Sequence, residues 1–281
     1  MKKFLIAGLL LPGLLQAQRW HINFLGGISN YSGDLQSKTL TLDQSNFAFG
    51  AGVQYDVTRH ISVLSNLALL KVSAADKYNK PDLQFRNLSF ESQIFEWNVL
   101  AEYNFFDLTK KVFTPYVFGG VAFYHFDPYA FDSTGRKIYL QPLSTEGQGL
   151  PQYPDSKPYS LNQFAIPFGA GIKLRITENV VIAYEMSFRK LFTDYLDDVS
   201  NRYVDENVLL AAKGPTAVMM AYRGGELKGG APYPPSGTVR GNPKYKDFYY
   251  FTGIKVIIAI ISKRDGYYGR GRIDCPPKMN R

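Results

Sequence analysis

"IAYEMSFRK", Ile182 to Lys190, changes character at every residue. In an extended chain Ile182, Tyr184, Met186 and Phe188 share one side, and Ala183, Glu185, Ser187 and Arg189 share the other. The first side wants an apolar neighbour, and the second has to accommodate a Glu and an Arg. The pattern recurs. In "NFAFGAGVQYD" Phe47, Phe49, Ala51, Val53 and Tyr55 oppose Ala48, Gly50, Gly52, Gln54 and Asp56. In "FEWNVLAEYNF" Phe95, Trp97, Val99, Ala101 and Tyr103 oppose Glu96, Asn98, Leu100, Glu102 and Asn104. "FAIPFGAGIKLR" sets Phe164, Ile166, Phe168, Ala170, Ile172 and Leu174 against small residues with Lys173 and Arg175. "FYYFTGIKVIIAI" sets Ile254, Val256 and Ile258 against Gly253, Lys255 and Ala259.

Strict period two with one large apolar face fits a sandwich core or a membrane barrel, and run length separates them. Soluble strands average about 5–6 residues, whereas strands that cross a bilayer need roughly 9–11. The runs here last 10 to 14 residues. Strands are expected near 20–29, 46–57, 60–72, 90–106, 113–126, 162–175, 179–191 and 247–261. The connections after the second, fourth and sixth are short ("TRH", "DLTKK", "TEN"), and the others are long. That alternation belongs to outer-membrane barrels, with short periplasmic turns and long extracellular loops. The fold expected is all-β: an eight-stranded antiparallel transmembrane β-barrel spanning residues 18–261. An even strand number returns both termini to the periplasm.

The compartment follows from the first residues. Lys2 and Lys3 precede an apolar run from Phe4 to Leu15, then "LQAQ" with Ala17 before a cut, which reads as a signal peptide over residues 1–17. The whole chain carries +8, and removing Lys2 and Lys3 leaves +6. Export argues against nucleic acid as a partner. After residue 17 no apolar run approaches the length of a membrane helix, so a place in the membrane requires a barrel.

Eight strands leave an interior just wide enough for side chains to fill. Glu96, Glu102 and Glu185 are therefore expected to neutralise Lys173, Arg175, Arg189 and Lys255 inside the lumen, since an unpaired buried charge is costly. A filled lumen does not conduct. Trp20, Tyr55, Tyr103, Tyr116 and Tyr249 fall near strand ends and are expected in the interfacial girdles. Pro167 removes a ladder donor, which predicts a bulge or kink.

Chemistry-bearing residues are sparse. His125 with Asp127 could serve a hydrolase near the rim, but an interfacial His beside a loop acid explains the pair without chemistry. Asp194, Asp197, Asp198, Asp205 and Glu206 crowd one loop. They could hold a calcium ion, yet they lack the D-x-D-x-D-G order, and capping and turn formation explain them. The residues on both sides of Gly214-Pro215 predict one or two short helices over the barrel mouth. Leu140 to Ser160 and Gly224 to Lys246 read as long irregular surface loops. No cofactor, metal or catalytic residue is assigned.

Residues 262–281, "SKRDGYYGRGRIDCPPKMNR", form a basic tail. Lys263, Arg264, Arg270, Arg272, Lys278 and Arg281 against Asp265 and Asp274 give +4, most of the mature charge. The tail reads either as an unstructured basic end or as a docking strip for an acidic protein surface. Cys275, the only cysteine, is either a spare thiol or half of an intermolecular disulfide.

"NYSGDL" (Asn30 to Leu35), "RNLSF" (Arg86 to Phe90), "PYVFGGVAFYHFDP" (Pro115 to Pro128) and "LQPLSTEGQG" (Leu140 to Gly149) carry a likeness. "FTDYLDDVSNRYVD" (Phe192 to Asp205), "RGNPKYKDFYYFTGI" (Arg240 to Ile254) and "DCPPK" extend it. The sequence resembles the PorG-type outer-membrane β-barrels of the Bacteroidota type IX secretion system. The resemblance implies a non-enzymatic barrel, embedded in outer-membrane lipid, that ties a periplasmic ring of a PorK-type lipoprotein and a PorN-type partner to the membrane. A small solute channel is the alternative.

Overall fold

The computed structural model describes residues 20–244 and 246–260. The signal peptide and the basic tail therefore lie outside the described residues.

The strands are β1 (Trp20–Ser32), β2 (Asn46–Asp56), β3 (Ile61–Ala75), β4 (Ser89–Asn104), β5 (Phe113–Phe131), β6 (Lys137–Tyr139), β7 (Asn162–Arg175), β8 (Val180–Leu191) and β9 (Phe248–Ala259). The hydrogen-bonded order is β4-β3-β2-β1-β9-β8-β7-β5, and β5 pairs back onto β4. Eight antiparallel strands thus close into a ring. The ladder between first and last strands runs from His21↔Ala259 to Ser32↔Phe248. The expected eight strands make the ring, and a ninth, β6, is an addition to it. It lies outside the ring, pairing only with the end of β5 at Tyr129 to Phe131.

Pro167 faces inward and is buried, as the alternation requires. It produces no bulge. The pairs Gly119↔Phe168 and Ala122↔Ala165 keep one register on either side, and the ladder simply skips the two pairs between them. A missing amide donor costs a bond without forcing an extra residue into the strand.

Alternation now has physical content. Large apolar side chains stand exposed on the outside, among them Phe49, Leu69 and Val121, each 62% exposed. Tyr184 of β8 is 58% exposed, while Glu185 and Arg189 are buried inside. An apolar exterior this extensive has no place on a water-soluble monomer. Along β3 it reaches from Ile61 to Leu69, eight steps of about 3.3 Å, or about 20 Å once strands tilt by about 40°. The single polar outward residue in that stretch, Ser65, accepts a hydrogen bond from Trp97 Nε1 at 3.1 Å.

Aromatic side chains encircle the short-turn end, with Trp20 against Tyr55 at 4.8 Å and Tyr103 against Phe105 at 5.4 Å. Tyr116 and Tyr249 do not join them. Both point into the lumen and are fully buried. Small residues on the inner face make room for such rings: a Cβ at Gly171 would lie 2.7 Å from the Tyr116 ring. This is the steric reason for glycine on the minor face of β7.

Candidate functional site

The lumen holds three ion pairs, two that reach across it and one between the neighbouring strands β8 and β9. Arg189 of β8 reaches Glu96 of β4 through two bonds, Nε to Oε2 and Nη2 to Oε1, each 3.0 Å. Glu96 also accepts from the Tyr249 hydroxyl at 2.6 Å and from Asn98 Nδ2 at 2.7 Å. Lys173 of β7 pairs with Glu102 of β4, and Lys255 of β9 pairs with Glu185 of β8. Tyr116 donates to Glu185 at 2.8 Å, and the Lys173 ammonium sits 4.7 Å from the Tyr116 ring centre. Three carboxylates meet three cations, so the lumen is neutral.

Arg175 stands apart from this network. It lies at the rim, where its Nη1 donates to the Thr109 carbonyl at 3.2 Å. One cavity inside the lumen, about 20 Å³ lined by Asn23, Asn66, Asn98, Glu185, Arg189 and Lys255, has room for a single water.

The long connections form a second structure, a cap. Leu35, Leu88, Leu140, Leu196, Val199 and Met220 pack in one buried cluster with Phe90, Phe126 and Phe251 of the strands. The helices α1 (Glu206–Lys213) and α2 (Pro215–Ala221) form, as the sequence predicts, and pack Leu209, Ala217 and Ala221 in a second buried cluster with Leu150 and Val204; Asp205 caps α1 by accepting from Asn207 N and Val208 N. The stretch 140–160 corrects the surface-loop expectation, because Thr145, Glu146 and Leu150 are buried. Within 224–246, Arg240 is buried while residues 225–232 are exposed.

Two buried arginines knit the four long connections together. Arg86 holds Asp76 in a fork at 2.6 and 3.0 Å, and also donates to the carbonyls of Asp34 and Arg240. Arg240 donates to Glu146 Oε1 at 2.9 Å, to the Asp198 carbonyl at 2.6 Å and to the Ala221 carbonyl at 3.1 Å. Glu146 in turn accepts from the amides of Ser200 and Asn201. Such bidentate, charge-assisted bonds are the strong ones.

At the neck of the longest connection, Tyr31 Oη lies 2.6 Å from Asp197 Oδ2 and 2.8 Å from Asp247 Oδ1. One phenol proton serves only one of these oxygens. The second contact requires a proton on a carboxyl, so Asp197 and Asp247 hold one between them. Burial pushes both carboxyls well above the ordinary range, reinforced at Asp197 by the charge of Asp247 and at Asp247 by that of Asp194. Burial also pushes Asp194 up to about 7 and Asp198 up to about 6. The acidic loop is thus built into the cap, and among the described residues no group of His, Cys, Asp or Glu is placed to hold a metal ion.

His125 faces outward with Nδ1 3.0 Å from Asn162 Oδ1, and among the described residues no nucleophile hydrogen-bonds it. The tail residues Lys263, Arg264, Arg270, Arg272, Cys275 and Lys278 fall outside the described residues. Sequence reasoning missed Tyr31, Arg86, Glu146 and Arg240, whose partners are distant in the chain.

A closed eight-stranded ring with a filled lumen and an apolar exterior defines a transmembrane β-barrel. Residues 2–210 match the family described as a domain of unknown function, DUF6089, and the chain belongs to it. No curated protein matches the chain. Among solved structures, Neisserial surface protein A is similar at 10% identity, over 85% of this chain and 96% of that one, with a TM-score of 0.42. OprG of Pseudomonas aeruginosa is similar at 12% identity over 86% and 97%, TM-score 0.40. A major outer membrane protein of Thermus thermophilus is similar at 10% over 85% and 98%, TM-score 0.41. The barrel is read from its ladders and not from these likenesses.

Replacing Arg189 by Ala leaves the Glu96 carboxylate buried without its cation, a loss of about 3–5 kcal/mol. Denaturant unfolding in micelles measures it. Adding Glu96→Gln to Arg189→Ala should recover part of the loss; a single variant as stable as wild type would show that the pair has no weight.

Carboxyls with raised values take up protons on folding. The cap is therefore favoured at low pH and loosens as pH rises from about 4 through the values of 6 and 7 at Asp198 and Asp194. Hydrogen-exchange protection of the Leu196 and Val199 amides, which bond to Asp247 and Asp197, should fall between pH 5 and pH 8 after correction for the intrinsic rate. Constant or rising protection contradicts the shared proton.

Proposed function

We propose that this chain is a non-enzymatic outer-membrane component of a type IX protein secretion system. In this reading it anchors a periplasmic ring of PorK-type lipoprotein and PorN-type partner to the membrane. The observation that carries the reading is the difference between the two barrel ends.

One end is closed over by a cap whose polar groups are turned on one another. The other end offers short turns with exposed Lys110 and Lys111, beside Arg59, which pairs with Asp107 at 3.3 Å. β9 finishes at this same end, and the sequence continues there into the +4 tail. A basic face opposite a sealed one suits docking to an acidic protein surface. Cys275 adds a thiol for an intermolecular disulfide with that partner.

The likeness to PorG-type proteins supports the same reading. The stretches that carry it, "LQPLSTEGQG" and "FTDYLDDVS", contain Thr145, Glu146, Asp197 and Asp198, the residues that build the cap. Three buried ion pairs inside the lumen, two of them reaching across it, speak against a solute channel.

Deleting residues 262–281 should release the ring from outer-membrane fractions and abolish cargo secretion, while the barrel still reaches the membrane. Fractionation and secretion assays of the deletion strain read this directly. A ring retained at wild-type level with normal secretion would remove the tail from the account.

A further inference from the structure

The connection from β1 to β2 divides into two parts. Leu35 and Gln36 are buried with the cap, whereas Leu40 and Leu42 are 54% and 72% exposed. Two exposed leucines are ordinary by themselves. Where these two stand is what gives them meaning.

Their place is fixed by what lies beneath the loop. Asn30 of β1 and Tyr250 of β9 are paired in the ladder that closes the ring, and alternation turns both outward, since Tyr249 and Phe251 are inside. Outward residues lower on these strands, Phe24 and Ile254, are half exposed, yet Asn30 and Tyr250 are only 1% and 2% exposed. The loop covers them. Tyr250 Oη lies 2.6 Å from the Thr41 amide nitrogen and 2.5 Å from its carbonyl oxygen, and Ser45 Oγ donates to Asn30 Oδ1 at 2.9 Å. Residues 41–45 are thus folded down over the outside of the wall.

Register gives the height of that contact. A row of paired residues that leaves β5 at Phe126 passes Ala48 of β2 and Gly253 of β9 and returns to β5 at Tyr116, ten residues nearer the short turns. Each step from strand to strand therefore descends by a little over one residue, as tilted strands require. Gly253 is five steps along, so Tyr250, three residues back toward the long loops, stands at about the height of Phe123. Within about two residues of that height the wall also carries Phe47, Leu69, Phe95 and Phe164, all exposed. The one outward charge of β8, Lys190, pairs with Phe248 above Tyr250, and the outward positions of β1 and β9 have none. The loop therefore meets the wall at the edge of its apolar belt.

Polar groups of the loop are met from within it. Asp43 N is held by Thr41 Oγ1 at 2.9 Å, and the Leu42 carbonyl by Ser45 Oγ at 2.7 Å. Lys38 and Asp43 pair at 3.1 Å, so the stretch carries no net charge. Such self-satisfaction suits a segment in contact with hydrocarbon.

We propose that residues 39–43 rest in the lipid leaflet on the long-loop side, with Leu40 and Leu42 among its acyl chains. The partner is the acyl layer that covers the rest of the wall. With Lys38 and Asp43 neutralising each other, the loop does not select a headgroup.

The proposal rests on the membrane reading, and one set of single-cysteine proteins separates the two. In the full-length processed protein Cys275→Ser removes the only cysteine, and Leu40→Cys, Leu42→Cys, Leu69→Cys or Ala212→Cys adds one. Each protein is spin-labelled in phosphatidylcholine nanodiscs, and its collisions with oxygen, which concentrates among acyl chains, are compared with those of a water-soluble nickel chelate. Positions 40 and 42 should favour oxygen, as position 69 on the wall does, and position 212 on the cap helix α1 should favour nickel. Without the label, a charged maleimide should alkylate positions 40 and 42 about tenfold more slowly than position 212, because a charged reagent is disfavoured at the acyl layer. Nickel preference at 40 and 42, or alkylation as fast as at 212, would overturn the proposal. Labels there that meet neither probe would also overturn it, since protein would then cover the leucines. Nickel preference at position 69 would instead sink the membrane reading itself.

Discussion

A strand surrounded by hydrocarbon has to find a hydrogen-bonding neighbour on both edges, because lipid offers no donor or acceptor. In this chain the ladder between β1 and β9 meets that demand, joining the two ends of the described chain over twelve residue pairs. Closure fixes the rest. With eight strands the inner face of every strand is pressed into a narrow lumen, so each inward residue has to pack or pair. Glu96, Glu102 and Glu185 survive there because Arg189, Lys173 and Lys255 reach them from other strands. The outer face inherits the opposite requirement and is apolar.

The cap extends the same logic beyond the ring. Its core is continuous with the upper lumen, where Tyr31, Phe90, Phe126 and Phe251 meet Leu35, Leu196 and Met220. Arg86 and Arg240 then satisfy carbonyls and carboxylates that four separate connections would otherwise leave buried and unpaired. The molecule therefore has one end closed by a cap and one end of short turns, where Arg59, Lys110, Lys111 and Arg175 stand with Asp56, Asp107 and Glu178.

The parts legible in the sequence were those that obey a local period. Ile182 to Arg189 announced both faces of β8, and the alternation of short and long connections announced a barrel. The lumen charges were visible as types, since Glu and Lys at mid-strand on the minor face have few other places to go. Their pairing was not, because partners such as Glu96 and Arg189 are 93 residues apart. Tyr116 and Tyr249 misled because aromatic residues occupy both faces of their strands, as Phe248, Tyr249 and Tyr250 illustrate; alternation without a polarity difference carries no direction. Arg175 has inward parity but sits where the lumen opens to the rim. Of the cap, the helices on either side of Gly214-Pro215 were legible and the bonds that hold it together were not. Its bonds join residues as distant as Asp34 and Asn242, 208 apart, and no local pattern encodes them.

Lipid at the outer wall is the claim on which all of this turns, and the two tryptophans of the chain report on it. Trp97 lies between the polar row at Gln93 and the aromatic rim at Tyr103, whereas Trp20 belongs to that rim. In bilayers containing phospholipids brominated at defined depths, the Trp97 emission of a Trp20→Phe protein should be quenched most by bromines deep in the acyl chains. The Trp20 emission of a Trp97→Phe protein should respond to shallow ones. Emission from both that is insensitive to bromine at every depth would mean that something other than lipid covers the wall.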